Sequence, residues 1–594
     1  GEGGSGKPGA REVYGGHSHV GTMIYLGDNW PSEYRNHLFT HNLHGHQMNH
    51  VINRRQAGGY NSVHAGYDTL FCADQQYIGI DLQCGPDGAV YFSDWYDSRH
   101  CHNPNMEQWD RGNGRMYRMK FDATYKPAVV DYITATDEQL VAAQLHPNEW
   151  HVRTSRLVLA DRATSRKIAP AAVEQLKSMA MKNEDPVRRL RAIWTLHCIA
   201  QLDDELISVL FKDQSEYVRA WAVQLACDSV GRDSRPVLNQ ASVRTGLETR
   251  PTFITLAQHD DSLFVRRYLA SAIPQVPADT AWQIAEALCS REDSAADREL
   301  PLLIWYGIAP FVSQNQDRAF KLAEASKIPA IHDYIYWYAA RNSAPARDQI
   351  STSLLSQSGD ERGAMLQLLA VAVRDQRGIT ASASWSKLST ELYDSRVPQM
   401  RDAGEAIGAA FGDPVLYERM RKRIADTSVN IPTKWEALRV LSTDSSPENL
   451  AHLTPLLDTP ELAALVISLL SRYNDIEVAN QLLARLPRLQ GQENAAAMQV
   501  LCGRVAWSNL VLDRIADGSL PKSQLTAFYA RQMSTLSDQK LNERLAKEWG
   551  AFGQSSVDFK TEIAKTSAAF KAAPLWAFSE GEGAAHFKKL CASC

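Results

Sequence analysis

Asp213-Gln-Ser-Glu-Tyr-Val218-Arg219-Ala-Trp221-Ala-Val223-Gln-Leu225 is the stretch on which the fold turns. A polar turn leads into a Val-Arg pair, and the pair opens a run whose apolar residues recur at helical spacing. The arrangement repeats. Val152-Arg153, Val187-Arg188 and Val265-Arg266 each follow a polar turn and precede an apolar helix, and Asp213 and Asp260 each stand six residues before their arginines. Helices such as Arg191-Ala-Ile-Trp194-Thr-Leu196 and Ala220-Trp221-Ala-Val223-Gln-Leu225 carry an apolar stripe that one helix pair cannot cover, so neighbouring pairs must stack.

The pattern resembles the HEAT signature. That resemblance implies that each Val enters the interhelical core, while the Asp and Arg of neighbouring repeats bond along the stack. Residues 123–575 are therefore expected to form a HEAT-like α-solenoid of right-handed course. At roughly 40–47 residues each, its repeats number about ten or eleven. Later helices, as in Glu436-Ala-Leu-Arg-Val-Leu441 and Glu461-Leu-Ala-Ala-Leu-Val-Ile-Ser-Leu-Leu470, keep the stripe and lose the Val-Arg pair. No nucleophile triad, Walker loop or Gly-x-Gly-x-x-Gly motif after a strand interrupts this region, which reads as spacer and docking surface.

Residues 1–122 have a different texture. They hold ten of the 17 histidines (17, 19, 37, 41, 44, 46, 50, 64, 100 and 102), with many Gly, Asn, Asp and aromatic residues. Leu38-Phe39-Thr-His-Asn42 turns at Gly45 into Gln47-Met-Asn-His-Val51. Val90-Tyr91-Phe-Ser-Asp94 turns later, at Asn113-Gly114, into Arg115-Met-Tyr-Arg-Met119. An interval of about 52 positions between the first strands fits one blade of a β-propeller. The region is too short for the four to eight blades that closure needs, so it is expected to be the incomplete C-terminal blades of a propeller.

The histidines invite a metal reading, since His46 and His50 are i, i+4 and His41, His44 and His46 are near in sequence. On a hairpin, however, i and i+4 lie roughly 13 Å apart along a strand, and a polar, hydrogen-bonded face is the expectation. Asp94, Asp97, His100 and His102 gather in a loop, read as ordinary loop polarity ahead of substrate or ion contacts.

The chain closes on Gly583-Ala-Ala-His-Phe587-Lys-Lys-Leu-Cys591-Ala-Ser-Cys594. On a helix Gly583, Phe587 and Cys591 share a face. A C-x-x-C pair followed by His is the attachment signature of c-type haem, in which two thiolates add to the vinyl groups and the imidazole ligates iron. The pattern G-x-x-x-F-x-x-x-C-A-S-C resembles the first helix of small cytochrome c domains, so residues 576–594 are expected to begin one, with an iron-ligating His at the next position, 595. Half of a zinc site, a thioredoxin-like pair and two incidental thiols are the other readings of Cys591 and Cys594.

Gly85-Pro-Asp-Gly-Ala-Val-Tyr-Phe-Ser-Asp94-Trp-Tyr-Asp97 resembles the last blades of glucose/sorbosone dehydrogenase propellers. His17-Ser-His19-Val-Gly-Thr-Met-Ile-Tyr-Leu-Gly-Asp28-Asn-Trp30-Pro is similar to the propeller segment of the PVC-type haem-binding multidomain proteins. Those proteins run propeller, HEAT-like repeats, cytochrome c domain, the order read here. The resemblance implies a chain truncated at both ends, with catalytic residues upstream of residue 1. It implies a propeller dehydrogenase of sugar-like or alcohol substrates, with a quinone cofactor in the propeller, that passes electrons to a tethered covalent c-type haem. It also implies a redox partner protein and a periplasmic or cell-surface location, since haem is attached outside the cytoplasm. The alternative is a non-catalytic propeller and HEAT scaffold bearing an electron-transfer haem.

A net charge of −5 gives no electrostatic case for nucleic acid. Seven further cysteines (72, 84, 101, 198, 227, 289 and 502) have no framework spacing, so disulfides do not define the fold. The longest apolar run, Leu300 to Val312, is too short to cross a bilayer and is expected to be a buried helix.

Overall fold

The computed structural model describes residues 18–97, 112–228, 249–550, 557–573 and 579–590. The chain forms two compact units, residues 1–339 and 340–594.

The first unit opens with two antiparallel sheets. β1 (His19–Ile24), β2 (Leu38–Asn42), β3 (Gln47–Gln56) and β4 (Gly59–His64) follow one another as a meander, and β5 (Leu70–Phe71) pairs with the start of β3. The second sheet is β6 (Gly79–Cys84), β7 (Val90–Asp94) and β8 (Arg115–Met119), again in sequence order. The two expected hairpins form as read. Phe39 pairs with His50 and His41 with Met48 across β2 and β3, and Val90 pairs with Met119 and Asp94 with Arg115 across β7 and β8. Alternation then sends Phe39, Met48, Leu82, Val90 and Phe92 to one side of their sheets. There they bury against one another with Met23, Tyr25, Trp30 and Tyr77. The Tyr25 hydroxyl fixes the Asp28-Asn29-Trp30 turn over this core: it accepts from Asn29 N (3.0 Å) and Trp30 N (2.7 Å) and donates to Gly88 O (2.8 Å).

Helices follow: α1 (Asp137–Ala142), α2 (Glu149–Ser165), α3 (Pro170–Lys182), α4 (Pro186–Cys198), α5 (Asp204–Leu210), α6 (Glu216–Asp228), α7 (Thr249–His259), α8 (Leu263–Ala272), α9 (Ala278–Cys289) and α10 (Leu300–Val312). Each even-numbered helix packs against the next even-numbered one from α2 through α10, the stacking of a solenoid-like array. Val152, Val218 and Val265 are fully buried, as expected.

Val187 corrects the register of one repeat. It is 51% exposed. Pro186 takes the first position of α4, so Val187 is second in its helix, whereas Val218 and Val265 are third in theirs. One residue is about 100° of rotation, and the buried stripe of α4 begins instead at Leu190 and Arg191.

The arginine that stacks is correspondingly Arg189, six residues after Asn183. Arg189 Nη2 bonds Asp213 Oδ1 at 2.9 Å, Arg219 Nε bonds Asp260 Oδ2 at 2.7 Å, and Arg266 Nη2 bonds Asp293 Oδ2 at 2.6 Å. Each also holds a carbonyl of the turn before its own helix: Asn183 O, Asp213 O and Asp261 O respectively. Asp213 and Asp260 in turn accept from the amides two residues on, Ser215 N and Ser262 N. One spacing thus ties turn, helix and next repeat together.

The Leu300–Val312 run is a helix buried along one side only, with Pro301 in its first turn and Gly307 set against Ile273, while Leu302 and Tyr306 are exposed. No single helix among the described residues is long and apolar enough to cross a membrane.

The second unit continues the same stacking by itself, with Gly359–Val373 on Pro398–Phe411 and Ile431–Leu441 on Pro460–Leu470. Asp413 there caps Val415 N (2.9 Å) and accepts from Trp385 Nε1 (2.8 Å) and Tyr393 OH (2.7 Å). The last two helices are Val557–Ala572 and Glu580–Leu590.

Candidate functional site

The sheets hold their histidines in two ways. On the core side, His50 is buried and stacks on Phe39 with ring centres 4.8 Å apart. Its Nε2 lies 2.8 Å from His37 Nδ1, and Tyr34 and Tyr67 close the other sides at 5.4 and 5.1 Å. Burial, then the neighbouring His37 and His64, push its pKa down to about 4. His41 is fully buried between Phe92 and Tyr77, and burial lowers it likewise to about 4. Gly79 makes that possible, because a Cβ there would stand 2.4 Å from His41 Nδ1. His46 sits in the turn, not on the strand with His50, and its Nδ1 lies 2.6 Å from Tyr77 O.

On the opposite face of the first sheet, His64 Nδ1 accepts from Gly66 N (2.9 Å), which places the ring proton on Nε2, 2.8 Å from Asp68 Oδ1. Asp68 Oδ1 also accepts from Asn49 Nδ2 (2.9 Å), and Asn49 Oδ1 lies 3.0 Å from His19 Nε2. The histidines are committed to packing and to these bonds. Among the described residues no group of three or more His, Cys, Asp or Glu could hold a metal ion. Asp94 is likewise structural: its Oδ1 accepts from Ile78 N and Tyr96 N, both at 2.9 Å. His100 and His102 lie outside the described residues.

The sheets are fastened to the helices at two places. Asn148 caps α2 through Trp150 N and reaches back to Gly85 O (3.0 Å) and Pro86 O (3.2 Å), and His151 Nε2 lies 2.8 Å from Pro86 O. Further on, the β3–β4 turn seats on α6, α8 and the segment before α10. Gly58 N donates to Asp297 Oδ2 (2.8 Å), Tyr60 OH meets Tyr217 OH (2.9 Å), and Arg55 bonds Glu216 (3.2 Å) while lying 5.0 Å from the Phe264 ring centre. Arg267 bonds the same Asp297. Sequence reasoning missed this seam, and no local pattern announces contacts between residues so far apart.

Cys591 and Cys594 lie outside the described residues. The helix Glu580–Leu590 runs up to Cys591, with Ser579 Oγ accepting from Glu582 N near its start. A Cβ added at Gly583 would meet nothing within 4 Å, and Phe587 is 64% exposed. Gly583 and Phe587 therefore share a helix face that is uncovered among the described residues, and Cys591, the third member of that expected face, lies outside them.

A family model described as a domain of unknown function, DUF7133, matches residues 12–123. No curated protein matches. Among solved structures, the karyopherin Kap121p bound to the SUMO protease Ulp1p is similar at 11% identity and a TM-score of 0.38, over 71% of this chain and 54% of that one. Yeast importin-beta, Kap95p, is similar at 14% identity and a TM-score of 0.30, over 70% and 64%. This chain thus spans about half the length of Kap121p. At TM-scores below 0.5 these likenesses are too loose to transfer fold or function.

Proposed function

We propose that this chain belongs to an extracytoplasmic haem-binding redox protein in which β-propeller blades, HEAT-like repeats and the start of a cytochrome c domain follow in order. The observation that carries the reading is the terminal helix, which presents Gly583 and Phe587 on one uncovered face two turns and one turn before Cys591. An open glycine and an exposed aromatic ring suit a surface against which a flat apolar group and a second helix pack. Haem, when bound, supplies a one-electron centre. The chain's own part is to hold it through Cys591 and Cys594 and to shield one edge with Phe587, with a His directly after Cys594 as the axial ligand. The two meander sheets suit neighbouring blades of a dehydrogenase propeller, whose sugar or alcohol chemistry and quinone contacts would come from blades upstream.

The test is the protein extended past Cys594 and made with a cytochrome maturation system. It should keep its haem absorbance after denaturation and acid extraction, and Cys591→Ala should weaken that retention. Haem that extracts freely, or a residue other than His after Cys594, defeats the reading.

A second reading, a non-catalytic scaffold with an electron-transfer haem, is favoured by one observation: the histidines of the sheets are spent on internal packing and bonds. Reduction of an artificial acceptor by sugars or alcohols, dependent on added quinone, would reject it.

A further inference from the structure

Asn148 is fully buried where the sheets meet the helices. Its side-chain amide donates to Gly85 O and Pro86 O of the β6–β7 turn, its side-chain oxygen accepts from Trp150 N at the start of α2, and its own N–H donates to His146 Nδ1 at 3.0 Å. The last bond fixes a tautomer: Nδ1 accepts, so the ring proton stands on Nε2 and the imidazole is neutral. A second proton would go to Nδ1 and set two donors against each other. The ring would then swing away and leave a buried N–H without its acceptor.

His151 behaves differently. Its Nε2 donates to Pro86 O at 2.8 Å, and its Nδ1 lies 2.8 Å from Tyr132 OH, a hydroxyl able to donate or accept, so both bonds survive a change of charge. The sensitive ring is therefore His146, and its surroundings resist a cation. Its ring centre is 4.0 Å from that of His151, and its carbonyl is held by the buried Arg191, whose other nitrogen takes up Glu149. On the sheet side Arg35 holds Pro147 O, and burial pushes the Cys84 thiol up to about 12. Burial first, then His151 and Arg191, keep the His146 pKa below the ordinary histidine value, against the pull of Asp28 and the Asn148 backbone.

We infer that His146 is an acid-sensitive latch: on taking a proton at Nδ1 it releases Asn148, and the Gly85-Pro86 turn of the sheets loosens from α2. The size follows from linkage. Open, the ring faces water and titrates near the ordinary pKa of about 6.5, whereas closed it resists the proton, so the open population rises about tenfold between pH 7.5 and pH 5.5. The latch does not rest on the haem reading.

Hydrogen exchange of the full chain, resolved by mass spectrometry and corrected for the intrinsic pH dependence of exchange, tests it. The peptides to follow span Leu145–Trp150 and Gly85–Tyr91, each measured against the Leu38–Val51 hairpin of the same chain, which carries the response of His41 and His50. Relative protection should fall about tenfold from pH 7.5 to pH 5.5. His146→Asn offers a side-chain oxygen to the amide two residues on and does not titrate, so its relative protection should stay at the pH 7.5 level throughout. His146→Ala lacks both acceptor and charge and should be less protected at pH 7.5, with no further fall in acid. No fall in the unmutated chain, an acid-dependent fall in either variant, or full protection in His146→Ala overturns the proposal.

Discussion

His41 and His50 are kept neutral by the fold, and this gives the sheets a definite response to acid. Each has a pKa near 4 when folded against about 6.5 when unfolded. Between those values the unfolded chain binds more protons, so stability is full above pH 6.5 and falls as pH drops toward 4. The loss between pH 7 and pH 5 is about 2 kcal/mol per histidine. Thermal melting of the sheet region followed from pH 7 to pH 5 should show this fall, and His41→Phe should reduce its slope. A flat profile would mean that these rings find acceptors when protonated. For His41 the Gln47 backbone and the Asp81 charge favour the protonated ring, but burial against Gly79, Tyr77 and Phe92 outweighs them.

At the scale of the element, the sequence was most legible where local chemistry decides structure. The hairpins at Gly45 and Asn113-Gly114 were readable because turn residues and strand alternation are local signals; the paired stretches agree with the reading, although β3 runs five residues past Val51 to Gln56, where it pairs with β4. The Val-Arg pair was readable as a helix start but misled at Val187-Arg188. There Pro186 shifts the helix by one residue, and the more faithful signal is the six-residue interval from Asp or Asn to Arg. That correction is testable. Arg189→Ala removes bonds to Asp213 and to Asn183 O and should cost about 2 kcal/mol. Exposed Arg188→Ala should change stability by less than about 0.5 kcal/mol. Equal effects in urea melts would restore the original register. In the next repeat Val218→Asp places an unpaired charge at a fully buried site and should cost on the order of 3 kcal/mol or more. The seam was not legible at all. Tyr60 and Tyr217 are 157 residues apart and Gly58 and Asp297 are 239 apart. Such pairs leave no periodicity or spacing to read. Cys591 and Cys594 stand at the other extreme, legible as a motif and beyond what the described residues test.

At the scale of the whole molecule, the question is whether residues 1–122 form a domain in their own right. Their core is built from side chains of both sheets. Among the described residues nothing pairs with the outer edge of β8, which exposes Met116 and Tyr117. An open edge of this kind templates pairing with other chains. The helices supply what the sheets lack: Asn148 and His151 hold the Gly85-Pro86 turn, and Asp297, Tyr217 and Glu216 hold the β3–β4 turn. We therefore expect residues 18–122 alone to aggregate and to melt without a cooperative transition, while residues 18–339 remain soluble and melt cooperatively. Gly58→Val in the longer fragment separates the contribution of the seam from that of mere length. A Cβ at Gly58 would stand 2.6 Å from Asp297 Oδ2 and 2.9 Å from Leu263 O. The turn must then lift from its seat, at a cost of about 1–3 kcal/mol. A shorter fragment that is monomeric and cooperative would show that the sheets close on themselves. A longer one indifferent to Gly58→Val would show that the Asn148 contact alone suffices.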